Sequence, residues 1–369
     1  MSIRVLLDAT AIPRDRGGVG RYIDGLLDAL SDEHAGVAAI AHPVDAAVFA
    51  TRGIEVIPAP WWIDRAPLRL VWEQMVLPGI VSRGRFDVLH SPHYTFPMRG
   101  RFGRVVTIHD LTFFTLPAAH NPLKRLWFKS WLRRLAKESF PVVAVSHATA
   151  DAFVDLLHAD RSRITVALHG CDGEIFRVPE PAEVAEFAKT LHPPVDNWIT
   201  FLGTFEPRKN VAALVKAHAS LGPGAPTLLL AGGPGWDPAA GPAIEASRAG
   251  GADVRTLGYV PIEQLRALLG GAEIVAYPSL GEGFGLPVLE AMASGACVLT
   301  TRELALPEVG GDAVAYSTTS ADDLAASLTA LMSDPDRRKA LGNAAVKRAA
   351  GFTWKAAAAA HMDAYRDAV

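Results

Sequence analysis

Trp198-Ile199-Thr200-Phe201-Leu202-Gly203-Thr204-Phe205-Glu206-Pro207-Arg208-Lys209-Asn210-Val211 is the stretch whose reading decides the fold. Residues suited to a buried, pleated strand stop at a glycine, and a polar turn leads to Asn210, a good N-cap for a predicted helix over Val211–Leu221. Strand, glycine turn and helix in that order are the unit of a parallel sheet covered by helices. The unit repeats outward in both directions. Downstream, strands are predicted at Thr227–Ala231, Val254–Leu257, Ile274–Ala276 and Cys297–Leu299. Upstream, they are predicted at Ile3–Asp8, Val37–Ala41, Ile54–Ile57, Val88–His90, Arg104–Ile108, Val142–Val145 and Ile164–Val166. Helical patterns lie between them near Gly20–Leu30, Leu68–Ser82, Pro122–Ser139 and Thr149–Leu157. Residues 170–197 break the alternation, with Pro179, Pro181, Pro193 and Pro194 around one short helical stretch, Ala182–Leu191. The simplest reading is an α/β chain of two Rossmann-like, doubly wound parallel-sheet domains, 1–175 and 176–350, followed by a C-terminal segment, 351–369.

Composition agrees with that division. A chain of 369 residues is too long for one ordinary core. Half its residues are hydrophobic and 20% are charged, as in soluble globular proteins. No apolar run reaches the roughly 18 residues needed to span a bilayer. The N-terminus reads as a short strand ending in Asp8, not as a signal peptide. Cys171 and Cys297 lie far apart and make neither a disulfide framework nor a metal-ligand pair. The expectation is a cytoplasmic protein. A net charge of -3 argues against nucleic-acid binding. Residues 1–175 carry 20 Lys/Arg against 18 Asp/Glu, a slight basic excess that suits an anionic surface or acceptor without deciding for one.

In sheets of this kind ligands bind beyond the carboxyl ends of the strands, so the residues there matter most. Arg208 and Lys209 stand just before a predicted helix, where its dipole would repel them. Two cations fit that position better if an anion, a diphosphate above all, shares it; a solvated basic loop is the alternative. Gly281-Glu282-Gly283-Phe284-Gly285-Leu286-Pro287-Val288-Leu289-Glu290 follows another strand. Its glycines let backbone N–H groups approach a ligand, and Pro287 suits a first helical turn. Glu282 and Glu290 could each accept hydrogen bonds from vicinal hydroxyls, one on a sugar and one on a ribose. Each also has a plainer explanation, a solvated loop for Glu282 and a favourable helix dipole for Glu290. His109 and Asp110 end a strand, where the histidine could meet a hydroxyl or simply serve a loop while Asp110 makes a turn. The loop Ala9–Gly20 has glycines at 17, 18 and 20, but not in the spacing of a dinucleotide fingerprint.

Taken together, the G-x4-R-K element ending at Arg208-Lys209, the E-x7-E element Glu282–Glu290 and the Gly17-Gly18-Val19-Gly20 loop resemble family 4 retaining glycosyltransferases of the GT-B fold. The resemblance runs from residue 3 to about residue 350, and is nearest to bacterial mannosyltransferase-like members through Trp72-Glu73-Gln74, Thr107-Ile108-His109-Asp110 and Val145-Ser146-His147-Ala148-Thr149. It implies two domains facing a cleft, acceptor bound by the first and donor by the second, with the helix Trp354–Ala368 crossing back. It also implies that His109 lies beside the transferred sugar, that Glu282 holds the sugar and Glu290 the ribose, and that backbone at Gly258-Tyr259-Val260 meets the base. Gly17 and Gly18 would bring N–H groups to the donor phosphate and the acceptor hydroxyl. Gly203, Gly283, Phe284, Gly285 and Leu286 complete the candidate donor contacts. Arg14, Arg16 and Asp110 are candidate acceptor contacts.

The expected reaction moves a hexose, with GDP-mannose the favoured donor, to a glycan or lipid-linked acceptor of bacterial surface polysaccharide or glycolipid. No D-x-D element stands in a suitable loop, so Arg208, Lys209 and helix N-termini are expected to neutralise the diphosphate without a metal or other cofactor. The resemblance favours front-face attack, the departing phosphate taking the acceptor proton. A UDP-sugar donor, or a nucleotide-sugar epimerase of the same fold, is the competing reading. A non-catalytic nucleotide-sugar module and an NAD-dependent oxidoreductase rank lower. The predicted helix Pro122–Ser139 sets Trp127, Phe128, Trp131, Leu132 and Leu135 against a basic arc of Arg125, Lys129, Arg133, Arg134 and Lys137. Core packing is expected for the apolar arc, while the basic arc, with Trp61-Trp62-Ile63, Arg65 and Arg69 as a second patch, could meet an anionic membrane. Two departures from the family pattern, Ala296-Cys297-Val298 and Thr300-Thr301-Arg302, bear on donor-sugar identity.

Overall fold

The computed structural model describes residues 3–12, 17–32 and 36–369. The apolar runs become two all-parallel sheets. The first holds β1 (Val5–Asp8), β2 (Val37–Ala41), β3 (Glu55–Pro58), β4 (Val88–Ser91), β5 (Gly103–Ile108), β6 (Val142–Ala144) and β7 (Ile164–Val166), in the order β3-β2-β1-β4-β5-β6-β7. The second holds β8 (Trp198–Leu202), β9 (Thr227–Ala231), β10 (Val254–Gly258), β11 (Ile274–Tyr277), β12 (Val298–Thr301) and β13 (Ala315–Ser317), in the order β10-β9-β8-β11-β12-β13. Both are the doubly wound order. Strand order reverses between β1 and β4 in one sheet and between β8 and β11 in the other, which is where such sheets bind ligands. Strands such as β1, β8 and β9 are buried along their whole length, because helices cover both faces.

The chain divides into a first unit, Met1–Thr115 with His120–Gly170 and Thr353–Val369, and a second, Cys171–Phe352 with Leu116–Ala119. The expected helix over Leu68–Ser82 is two helices, Ala66–Met75 and Leu77–Arg83. Pro78 has no N–H to continue the first one and sits where a new helix accepts it. The helix Pro43–Thr51 and the strand β13 had no expectation in the sequence. Asn210 is also not the expected side-chain cap. It adopts a left-handed conformation (φ 59°), and its Nδ2 donates to Pro278 O and Thr319 O, tying three loops together.

The helix Pro122–Leu135 corrects the expectation of a wholly packed apolar arc. Phe128, Leu132 and Leu135 are buried and Trp131 packs against them, but Trp127, Leu123 and Leu126 are exposed. Trp61 and Trp62 are exposed as well, with only Ile63 of that trio in the core. Among the described residues no helix is long and apolar enough to cross a membrane.

The C-terminal helix Trp354–Asp367 belongs to the first unit, and a hydrogen-bonded circuit fixes it there. His361 Nδ1 lies 2.7 Å from Ala357 O, which can only accept, so Nδ1 carries the proton and Nε2 accepts. Tyr22 O–H therefore donates to His361 Nε2, and Thr107 Oγ1–H donates to Tyr22. Thr107 must then accept from His90 Nε2–H, leaving His90 Nδ1 to accept from Tyr365 O–H. The circuit begins and ends on the same helix, every member neutral. Burial enforces this, pushing His361 down to about 4, His90 well below its ordinary value, and Tyr22 and Tyr365 up. Gly25 makes room for the helix, since a Cβ there would stand 2.2 Å from the Trp354 ring.

Thr107→Val should strand the His90 N–H in the core and cost about 1–3 kcal/mol in urea unfolding near neutral pH. The histidine values are lower folded than unfolded, so this stabilisation is complete above about pH 6.5 and falls as pH drops toward 4; His361 alone should lose on the order of 2 kcal/mol by about pH 5. Wild-type stability that does not fall across that window would contradict the neutral circuit.

Candidate functional site

At the switch point of the second sheet, the loop after β8 meets the loop after β11. Arg208 and Lys209 lie in a tight turn, Pro207–Lys209, and both reach Glu282. Arg208 NH1 is 2.5 Å from Glu282 Oε2, and Lys209 Nζ is 2.7 Å from Oε1. Tyr277 O–H and Ser279 O–H also donate to Oε1, at 3.0 and 2.7 Å, and Lys209 donates to the Tyr277 oxygen. A backbone bond joins the two loops: Leu280 N–H donates to Arg208 O at 2.7 Å. Glu282 is thus not a solvated loop residue. It is 6% exposed, with four donors on its carboxylate.

The charges explain the pairing. Burial alone would raise the Glu282 carboxyl, but Arg208 and Lys209 beside it, with hydrogen bonds from Lys209 and Ser279, hold it down at about 2. Lys209 is lowered by burial first and then by Arg208. Glu206 accepts from Arg208 Nε at 2.8 Å. Two cations and two carboxylates therefore balance, and the cations are not held against a helix dipole without compensation.

The Gly283–Gly285 segment continues directly from Glu282 into the helix Leu286–Ala293. Gly285 has φ 104°, a left-handed conformation that favours glycine, and a Cβ there would crowd Leu306 Cδ2 at 2.9 Å. Gly283, Phe284 and Leu286 are buried, as is Glu290 in the helix. Helix start, cationic pair and Glu282 thus form one continuous feature. Gly203 ends β8 beside Lys209, and its carbonyl approaches Gly232 so closely that a Cβ on Gly232 would meet it at 2.1 Å. The Gly232-Gly233-Pro234-Gly235 loop was not singled out from sequence, although its composition after a strand was a signal. Tyr259 stands next to it, exposed, with Val260 partly exposed. Tyr277 and Ser279, which orient Glu282, were also missed. Thr301 Oγ1 donates to Ser279 O and Thr300 Oγ1 to Tyr277 O, while Arg302 lies 4.0 Å over the Tyr316 ring. The Thr300-Thr301-Arg302 departure thus braces the Glu282 loop.

The remaining candidates lie in the first unit. His109 follows β5, donates Nε2–H to Pro92 O at 2.7 Å, and is held neutral chiefly by burial, which leaves Nδ1 as an acceptor. Its ring meets the Tyr22 ring edge-on at 5.1 Å, so the circuit of Thr107 lies directly behind it. Asp110 Oδ1 accepts from both the N–H and the hydroxyl of Thr112, at 2.8 and 2.6 Å, which is the turn-forming geometry. Gly17 and Gly18 open the helix Gly17–Asp32. Arg14, Asp15 and Arg16 lie outside the described residues.

Two family profiles match in tandem, Glycosyltransferase Family 4 over residues 16–174 and Glycosyl transferases group 1 over residues 183–348. The chain belongs to glycosyltransferase family 4. This family 4 chain is 29% identical to the O-antigen chain mannosyltransferase B of Escherichia coli, over 76% of its own length and 74% of that protein. It is 31% identical to the D-inositol 3-phosphate glycosyltransferase of Corynebacterium glutamicum, over 77% and 73%. Its fold matches that of Anabaena Alr3699/HepE in complex with UDP-glucose with a TM-score of 0.77 at 17% identity, over 98% of both chains. The GT-B fold and the glycosyltransferase assignment follow.

Glu282→Gln should leave Arg208 and Lys209 buried beside a neutral group and cost about 3–5 kcal/mol in urea unfolding. Because the folded carboxyl titrates at about 2 against an ordinary 4.5, the wild type should keep this contribution above about pH 4.5 and lose it toward 2. Equal stability of the two proteins near neutral pH would dismiss the ion-paired carboxylate.

Proposed function

We propose that this family 4 enzyme is a retaining, metal-independent hexosyltransferase that moves mannose from GDP-mannose to a glycan or lipid-linked acceptor in bacterial surface polysaccharide or glycolipid synthesis. The observation that carries the reading is the contact of Arg208 and Lys209 with Glu282 at the start of a glycine-lined helix. Preorganised donors of this kind favour charge that develops on a departing diphosphate. Similarity to an O-antigen mannosyltransferase supports the sugar. UDP-glucose in a neighbour of like fold keeps a UDP-sugar donor as the alternative.

In this reaction the anomeric carbon–phosphate oxygen bond breaks as the acceptor oxygen attacks from the same face, and the acceptor proton passes to the departing phosphate oxygen. Arg208 and Lys209 stabilise that phosphate with the helix N–H groups of Gly283–Leu286. Glu282 and Glu290 hold sugar and ribose hydroxyls, and backbone at Tyr259-Val260 meets the base. His109 Nδ1 accepts from a hydroxyl of the transferred sugar, and Gly17 and Gly18 serve the phosphate and the acceptor. Exposed Trp61, Trp62, Leu123, Leu126 and Trp127, beside Arg65, Lys124 and Arg125, support peripheral contact with an anionic membrane.

Thermal shift against GDP-, UDP-, ADP- and TDP-sugars should give the largest rise with GDP-mannose, and the product made with chelator present should keep the donor's anomeric configuration by proton NMR. A larger rise with a UDP-sugar would move the donor to the alternative; inverted product, or conversion without acceptor, would reject the reaction. In flotation, anionic vesicles should carry more protein than neutral ones. Equal recovery would remove the membrane contact.

A further inference from the structure

Tyr94 holds a backbone conformation that an aromatic residue resists. Its φ is 49°, in the left-handed region that bulky side chains enter rarely and at a cost in strain. Such a conformation persists only where surrounding contacts over-determine it. Tyr94 lies just after β4, in the run Pro92-His93-Tyr94, and is 4% exposed. Its phenol oxygen accepts from the Asp110 N–H at 3.1 Å. Two residues earlier, Pro92 O accepts from His109 Nε2–H at 2.7 Å. The run therefore grips His109 at two points, the imidazole by its far nitrogen and the peptide between His109 and Asp110 by its N–H.

The other side of that peptide is held as well. Asp110 Oδ1 accepts from the N–H and the hydroxyl of Thr112. With its proton committed to Asp110, the Thr112 oxygen accepts from His120 Nε2–H at 2.9 Å. Packing accounts for the Tyr94 ring, which meets Phe113 edge-on at 6.0 Å, Phe128 at 5.3 Å and His109 at 6.1 Å. A phenylalanine would make each of these contacts equally well. What tyrosine adds is the oxygen that takes the Asp110 N–H. With Nε2–H committed to Pro92, His109 can meet a ligand hydroxyl only through Nδ1, and only as an acceptor. The direction of that lone pair follows the ring plane, and the ring plane follows the backbone that carries it.

We propose that Tyr94 is a positioning residue for His109, its hydroxyl fixing the peptide after the histidine so that Nδ1 is aimed at a hydroxyl of the transferred sugar. The assignment rests on the transferase reading above, in which His109 Nδ1 accepts from that sugar.

Tyr94→Phe in the full-length protein keeps the ring and removes one oxygen, and two measurements read the result. Calorimetry of GDP-mannose and of GDP gives the ratio of their affinities, which reports the sugar's share of donor binding. That ratio should fall by roughly tenfold in the variant, with GDP itself binding as before. Proton–nitrogen NMR of histidine-labelled protein, with the His109 signal identified by its loss in His109→Gln, should show a single Nε2–H tautomer in the wild type. Exchange of that N–H with solvent should be about tenfold faster in Tyr94→Phe. Phe113→Leu, which trims the packing around Tyr94 and leaves its hydroxyl alone, should lower the melting temperature more than Tyr94→Phe and leave both readouts at wild-type values. Unchanged readouts in Tyr94→Phe, an equal loss of GDP and GDP-mannose, a loss that Phe113→Leu reproduces, or failure of Tyr94→Phe to fold would overturn the assignment. A wild type that does not bind GDP-mannose would overturn the donor reading instead, and the exchange rate of the His109 N–H would then decide the role of Tyr94 by itself.

Discussion

The carboxylate of Glu282, shared by Arg208 and Lys209, is the interaction on which the second half of the molecule is organised. Two cations side by side before a helix would repel each other and the helix dipole. One buried acid between them turns that repulsion into a tie between the loops after β8 and β11. Tyr277, Ser279, Thr300 and Thr301 then fix the acid and the carbonyls around it. The glycine-lined helix start follows the same acid without a break, so its N–H groups and the two cations are held in place by the protein itself. Such preorganisation matters more than net charge, which Glu206 and Glu282 cancel.

The two sheets share a topology but carry opposite charge patterns at their switch points. At the switch point of the second sheet, one acid stands between two cations; at that of the first, one cation stands between two acids. The C-terminal helix is tied into the first unit by a circuit of neutral groups that runs through Thr107, two residues before His109 in sequence. A proton on that circuit would reverse its donor order, so the strand that carries His109 is held by a network that excludes charge.

Much of this was legible in the chain itself. Strands such as Val37–Ala41 and Thr227–Ala231 are buried on both faces and read as uninterrupted apolar runs, so their bounds were plain. The helix Pro43–Thr51 was not, because its apolar residues have no clear period, and β13 is only three residues long. The glycines at 203, 283 and 285 and the basic pair declared themselves by their places after strands. The partner of that pair did not: Glu282 lies 74 residues from Arg208, and its burial comes from tertiary packing alone. Arg69 reads in the sequence as part of a membrane-facing patch, but its side chain turns inward to Glu73 on its own helix, to Asp8 at the end of β1 and to Thr10 just after it. Trp127 was assigned to the core by helical arc, yet the sheet covers only Phe128, Leu132 and Leu135, and the tryptophan sits at the rim.

Isothermal calorimetry of GDP binding to the wild type and to a variant carrying Arg208→Gln and Lys209→Met bears most directly on the diphosphate site. The side-chain volumes are nearly kept, and a retained cooperative melt establishes that the variant is folded. Loss of two charge-assisted contacts should weaken GDP by about a hundredfold or more. Unchanged affinity in a folded variant would mean that the diphosphate is held elsewhere.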